Sequence, residues 1–202
     1  MNNYSEIRQT VRSQFGVSPE TVVIVQVSRM ERWKGHVQLL SALTHLQDLT
    51  NWVCWIAGGA QRPQEHEYLK ELQAQAQSSG LKDRIRFLGQ RADIPALLAA
   101  ADIHCQPNTS PEPFGITFIE ALYAGLPVVT TEIGGGQEIV TPDCGRLIPP
   151  NNPKVLANTL KELIQSPQNR ALLANQAPIR AKQLSDPQQQ QQQLFHLLKT
   201  VI

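Results

Sequence analysis

Cysteine is scarce: Cys54, Cys105 and Cys144 are the only three in 202 residues, scattered and without C-x-x-C spacing. An odd, dispersed set excludes a disulfide framework and a zinc ribbon, and reads instead as buried residues of a reducing compartment. Long hydrophobic runs are also missing. Apolar residues make up 41% of the chain, yet no run approaches the ~20 residues that span a bilayer. The opening Met1-Asn2-Asn3-Tyr4-Ser5 has neither a basic start nor an apolar core, so no secretory signal and a cytoplasmic location are expected. Charge of one sign is nearly absent, because a net charge of +1 provides no bulk attraction to nucleic acid or acidic lipid. Any anion binding must therefore be local.

Chemical motifs are missing as well. His36, His45, His66, His104 and His196 form no H-E-x-x-H and no other metal-ligand spacing, and neither a P-loop nor a G-x-S-x-G occurs. No Asp-x-Asp pair is present to hold a divalent ion, so no metal site is expected. His104, inside an apolar strand, reads as a core histidine whose ring nitrogens are satisfied.

What is present is a regular alternation. Thr21 to Ser28, TVVIVQVS, is β-branched and almost wholly apolar, as a parallel strand buried on both faces requires. Further strands follow at Asn51–Ala57, Arg84–Leu88, Asp102–Gln106, Leu126–Thr131 and Arg146–Ile148. Between them lie helical patterns at Ile7–Gly16 (Ile7, Val11 and Phe15 inward, Arg8 and Arg12 on another face), His36–Leu46, Pro63–Ser79 and from Asp93 as cap to Ala100. About six strands alternating with helices predict an α/β fold, a doubly wound parallel sheet of the Rossmann-like kind. The end of the chain reads as helices alone: one capped by Asn152 with Pro153 in its first turn, one over Gln168–Leu184, and one from Asp186-Pro187 through the glutamines Gln188 to Gln193.

The chemistry concentrates in two loops. Ligands of open parallel sheets sit beyond the carboxyl ends of the strands, and RMERWKG, Arg29 to Gly35, follows the first strand. Arg29 offers a planar fork and Lys34 a point charge to phosphate oxygens, although alone they read more readily as solvated loop cations. The second is Ser110 to Gly136, SPEPFGITFIEALYAGLPVVTTEIGGG. Pro111 and Pro113 keep its lead-in extended, Gly115 lets the backbone approach a ligand, and a helix starting near Ile116 offers its first N–H groups as an anion seat. Glu112 and Glu120 flank that seat, which suits a ligand with phosphate in the middle and hydroxyls at both ends. Gly58-Gly59, closing the second strand, permits either a ligand or a plain turn.

Glu112 and Glu120 form E-x7-E around Phe114-Gly115, followed by EALYAGLPVV, GGGQEIV and CGRLIPPNNP. The pattern resembles the signature of the retaining GT-B glycosyltransferases of group 1 (family 4-like), over about Arg8 to Pro153. The resemblance implies a single GT-B half-domain with C-terminal helices, the C-terminal half that binds a UDP-, GDP- or ADP-linked sugar as substrate, without a separate cofactor or bound metal. By it, Arg29 and Lys34 hold the diphosphate with the Ile116-Thr117 amides. Glu112 touches the transferred sugar beside the Phe114-Gly115 backbone, Glu120 holds the ribose, and the backbone at Leu88 and Gly89 lies toward the base, with Gly58 a further candidate contact to the ligand. Glu112 is not assigned as a nucleophile. The family reaction takes place between two such domains, and this chain has room for one. It is therefore expected to bind the sugar nucleotide but to transfer little by itself, its partner being the N-terminal acceptor-binding domain of the same enzyme. Two other classes fit the residues: a non-catalytic nucleotide-binding module, and a GT-B relative of different chemistry such as a sugar-nucleotide epimerase.

Overall fold

The computed structural model describes residues 3–201. Helix α1 (Asn3–Gln14) leads into strand β1 (Val22–Val27), α2 (His36–Leu43), β2 (Trp52–Ala57), α3 (Pro63–Ser78), β3 (Ile85–Gly89) and α4 (Ile94–Ala100). The chain continues through β4 (Ile103–Gln106), α5 (Ile116–Tyr123), β5 (Val128–Thr131), α6 (Gly135–Ile139) and β6 (Gly145–Ile148) to the helices α7 (Pro153–Gln165), α8 (Pro167–Ser185) and α9 (Pro187–Val201).

The six strands form one sheet in the order β3-β2-β1-β4-β5-β6, and every adjacent pair is parallel. Burial explains why β1 is so uniformly apolar. Val22 and Ile24 face a core built with α2, α3 and α7, whereas Val23, Val25 and Val27 face a second core built with α1, α4, α5 and α8. A strand covered on both sides cannot alternate polar and apolar residues. The chain leaves β1 toward β2 and β3, then returns to place β4 on the other flank of β1. That reversal is a topological switch point, and it opens a crevice beyond the carboxyl ends of β1 and β4. No helix is long and apolar enough to cross a membrane among the described residues.

Three local readings need correction. Helix α1 begins at Asn3 rather than Ile7, and Arg12 on its supposed polar face is buried. Its guanidinium donates to the carbonyls of Ala100 and Ser18 and to Asp102, and the Asp102 carboxylate also accepts from the Val23 N–H at 2.7 Å. Arg8 donates to the other Asp102 oxygen at 2.6 Å. The two arginines thus tie α1 to the amino-terminal edge of the sheet, away from the crevice. Asp93 stands at the start of α4 but does not cap it, because both its oxygens accept from the Arg91 guanidinium. His104 is fully buried with neither ring nitrogen hydrogen-bonded, packed edge-on against Phe118.

The start of α7 follows the sequence closely. Asn152 accepts from the Val155 N–H at 3.1 Å and Pro153 occupies the first turn. Removing the cap in Asn152→Ala should cost about 1 kcal/mol, read as a lower urea midpoint with an unchanged slope. A midpoint equal to that of the parent would show that the cap adds nothing.

Candidate functional site

The site is assembled from two loops that meet in the crevice. After β1 the chain makes a short 3-10 turn, Arg32–Lys34, which Gly35 closes in the left-handed conformation at φ 76°. A Cβ at Gly35 would stand 1.8 Å from the Pro107 carbonyl oxygen, so only glycine lets this loop touch the one after β4. Thr109 N–H donates to the Trp33 carbonyl at 2.8 Å, and the buried Gln26 side chain donates to the Lys34 carbonyl at 2.8 Å. These bonds fix the backbone from which Lys34 projects.

Lys34 Nζ reaches Glu112 Oε2 at 2.7 Å, linking residues 78 apart in sequence. The ammonium also lies 3.9 Å from the centre of the Trp33 ring. Glu112 is buried, and its backbone is held from behind: Gly135 N–H donates to its carbonyl at 2.7 Å, and Glu112 and Gly134 form an isolated parallel bridge. A Cβ at Gly134 would come within 2.5 Å of the Glu112 nitrogen. The glycines of GGGQEIV therefore brace the acidic loop. Burial pushes the Glu112 carboxyl pKa up, but the hydrogen bond and charge of Lys34, followed by the Asn108 amide and the Gly115 N–H, outweigh it and leave the pKa below the ordinary value.

The other expected residues surround this pair. Arg29 follows β1, 51% exposed along its side chain, and its Nη2 lies 2.5 Å from Glu31 Oε1. Glu31 Oε2 accepts from Trp33 Nε1 at 3.0 Å. Each of the two cations expected at the site is thus matched by a carboxylate of the protein, Arg29 by Glu31 and Lys34 by Glu112. Gly115 caps α5 at φ 68°, and its absent side chain makes room for Ile139 and Phe118, which a Cβ would meet at 2.6 and 2.8 Å. The first turn of α5 brings the N–H groups of Ile116 and Thr117 to the crevice. Phe114 and Ile116 are 77% and 65% exposed there, a large uncovered apolar edge beside the acidic loop. Glu120 lies one turn further along α5, exposed and with no hydrogen-bond or ion-pair partner among the described residues, and desolvation raises its pKa.

Leu88 and Gly89 end β3 on the same edge, where Gly89 at φ 66° has open space around its Cβ position. Gly58 has a different reason to be glycine: a Cβ there would stand 1.7 Å from the Ser28 carbonyl oxygen, so strand packing requires it whether or not a ligand is near. Four contributors escaped the sequence reading. Gln106 and Asn108 both donate to Glu112, and Glu31 and Trp33 organise the first loop. A glutamine ending the otherwise apolar strand IHCQ was the available signal, since buried polar side chains need a partner. Among the described residues no group of three or more His, Cys, Asp or Glu is placed to hold a metal.

Residues 7–180 match the profile of the family described as Glycosyl transferases group 1. The D-inositol 3-phosphate glycosyltransferase of Corynebacterium urealyticum is 32% identical over 188 residues, covering 88% of this chain and 43% of that protein. Lipopolysaccharide glucosyltransferase WaaG of Escherichia coli is 31% identical over 83% of this chain and 44% of its own length. The crystal structure of Anabaena Alr3699/HepE in complex with UDP-glucose superposes with a TM-score of 0.87 at 35% identity, covering 96% of this chain and 53% of that one. The C-terminal domain of the Francisella tularensis group 1 protein LpcC shares the fold, with a TM-score of 0.78 at 24% identity over 91% of this chain and 93% of that one. The chain spans about half the length of the curated relatives it matches.

Proposed function

This chain belongs to the group 1 glycosyl transferases, and from that premise we propose that it is the C-terminal, sugar-nucleotide-binding half of a retaining GT-B enzyme. The observation that carries the reading is the meeting of Lys34 and Glu112 across the switch point of the sheet, a cation and a carboxylate from distant loops at one crevice. The UDP-glucose held by a relative 35% identical supports a nucleotide-linked sugar as the ligand class.

In this reading the diphosphate lies over the first turn of α5. Two protons of the Lys34 ammonium remain available beyond the one given to Glu112, and Arg29 exchanges Glu31 for phosphate oxygens. Arg29 is half-exposed, and Glu31 keeps the Trp33 N–H when Arg29 turns away, so the exchange does not leave its carboxylate bare. The Ile116 and Thr117 N–H groups complete the seat. Glu120, without a partner, accepts from the ribose hydroxyls, and the base lies toward Gly58, Leu88 and Gly89. Glu112 meets a hydroxyl of the transferred sugar near the Phe114-Gly115 backbone. The acceptor hydroxyl then attacks the anomeric carbon on the face from which the diphosphate departs. The new C–O bond forms as the bond to the phosphate oxygen breaks, and the acceptor proton passes to that oxygen. Arg29, Lys34 and the helix N–H groups stabilise the charge that develops there, and losing one such group typically costs on the order of 100–1,000-fold in rate. The acceptor is held by the N-terminal domain of the same enzyme, so this chain alone transfers little sugar.

A thermal-shift panel of UDP, GDP and ADP, each with and without a linked hexose, tests the reading. At about 100 times its Kd a ligand adds roughly 2.7 kcal/mol, which for a domain of this size is a rise of roughly 5–10 °C. Arg29→Ala and Glu120→Ala should each reduce the rise at fixed ligand concentration. A flat response to every nucleotide, or rises untouched by both substitutions, would remove the site.

A further inference from the structure

The two oxygens of Glu112 are not equivalent. Three hydrogen-bond donors converge on Oε2: Lys34 Nζ at 2.7 Å, Asn108 Nδ2 at 3.1 Å and Gln106 Nε2 at 3.2 Å. Among the described residues Oε1 receives only the Gly115 N–H, at 3.4 Å. A carboxylate offers about four lone-pair sites over its two oxygens, so Oε2 is saturated and Oε1 retains capacity. Lys34 alone would not impose this asymmetry, since an ammonium on a flexible stem serves either oxygen. The amides do. Both are fully buried, and Gln106 Nε2 also donates to Asn108 Oδ1 at 3.0 Å, which turns the Asn108 amino group toward Glu112. Their backbones are bolted to β5, with Thr130 Oγ1 donating to the Gln106 carbonyl and Thr131 Oγ1 to the Asn108 carbonyl, each at 2.8 Å. Packing alone gives this arrangement no purpose: Gln106 Oε1 is buried without a hydrogen bond, and a leucine or methionine there would avoid that penalty.

We propose that Gln106 and Asn108 are positioning residues that lock Oε2 of Glu112 and leave Oε1 as a single hydrogen-bond acceptor for one hydroxyl of the sugar. The inference rests on the sugar-nucleotide reading above. Because Lys34, and after it the Asn108 amide, keep the carboxylate ionised, Glu112 accepts and does not donate, and it recognises the hexose rather than the nucleotide.

The test is calorimetric titration of the 202-residue chain with UDP, GDP and ADP and with UDP-glucose, GDP-mannose and ADP-glucose. It is run on the parent, on Gln106→Met, which conserves volume, and on Asn108→Ser, with thermal melts to establish folding. The parent should bind one sugar nucleotide about tenfold more tightly than its bare nucleotide, an increment typical of one good hydrogen bond. Both variants should keep the bare nucleotide within about twofold of the parent and lose most of the sugar increment, because the amides act on Glu112 alone. In the absence of ligand, the 13C carboxyl resonance of Glu112 should titrate at higher pH in each variant. Equal weakening of bare and sugar-linked nucleotides would make the amides structural only. A sugar increment that survives substitution, one missing from the parent, or an unmoved Glu112 titration would each overturn the proposal. Binding of no nucleotide at all would instead sink the sugar-nucleotide reading, and the ligand-free titration would still decide whether the amides act on Glu112.

Discussion

Acidification from pH 7 to pH 5 should cost this fold on the order of 4 kcal/mol, with two histidines responsible. His36 and His104 are both fully buried. Burial, only partly opposed at His36 by a backbone hydrogen bond, pushes their pKa values down to about 4 and about 3. In the unfolded chain each titrates near pH 6.5. Below that value the unfolded state takes up protons that the folded state refuses, so stability falls as pH falls, until the folded-state pKa values are reached. Each histidine lags by roughly 1.5 pH units at pH 5, and one unit is 1.36 kcal/mol, or about 2 kcal/mol apiece. Against a total stability of about 5–15 kcal/mol, this brings acid unfolding within reach near pH 4–5. The measurement is urea unfolding at pH 7, 6 and 5. His104→Phe should remove about half of the slope, and because neither ring nitrogen has a partner, it should cost little at pH 7. A slope unchanged in His104→Phe would mean that the imidazole is protonated or solvated inside the fold.

Lys34→Met is expected to destabilise the chain by about 2–3 kcal/mol at pH 7. Removing one member of a buried ion pair leaves a charge without its partner, which costs ~3–5 kcal/mol when the pair is fully sequestered. Here the side chains retain 15% and 8% exposure, and Gln106 and Asn108 still serve Glu112, so the lower figure applies. In a domain of this size the loss is read as a fall of roughly 5–10 °C in Tm. Adding Glu112→Gln to Lys34→Met should recover much of it, since no bare carboxylate then remains. The pH response separates this effect from that of the histidines. In the parent, Glu112 with its lowered pKa contributes stability that is present above the unfolded carboxylate value near 4.3 and lost as pH falls through the folded value. Lys34→Met removes the main cause of that lowering and so flattens the acid side of the curve. A double variant as unstable as Lys34→Met alone would show that the loss came from the contact of the ammonium with the Trp33 ring rather than from the bared carboxylate.

The architecture was legible because its signals are local. A strand buried on both faces must be apolar throughout, so TVVIVQVS declares β1 without reference to the rest of the chain. Helix ends were legible for the same reason, as at Asn152-Pro153 and in the glutamine run, which lies within α9. Errors arose where a side-chain partner intervened that periodicity does not reveal, distant for Arg12 and two residues away for Asp93. Arg12 looked like a residue of the helix's other face until Ala100 of α4 and Asp102 supplied acceptors for its guanidinium, and Asp93 looked like a cap until Arg91 took its oxygens.

The same division runs through the site. Types and spacing alone determined that Arg29, Lys34 and Glu112 stand in strand-to-helix loops and that Glu120 lies inside a glycine-started helix, because each type is set by what its own stretch of backbone can offer. Only the tertiary structure decided that Lys34 reaches Glu112, that Glu31 takes Arg29, and that two amides choose which oxygen of Glu112 stays open. The first joins segments brought together by the return of the chain to the far flank of β1, and the others depend on how each loop folds back on itself. A hydrogen bond requires atoms about 3 Å apart, and no spacing along a sequence encodes that distance.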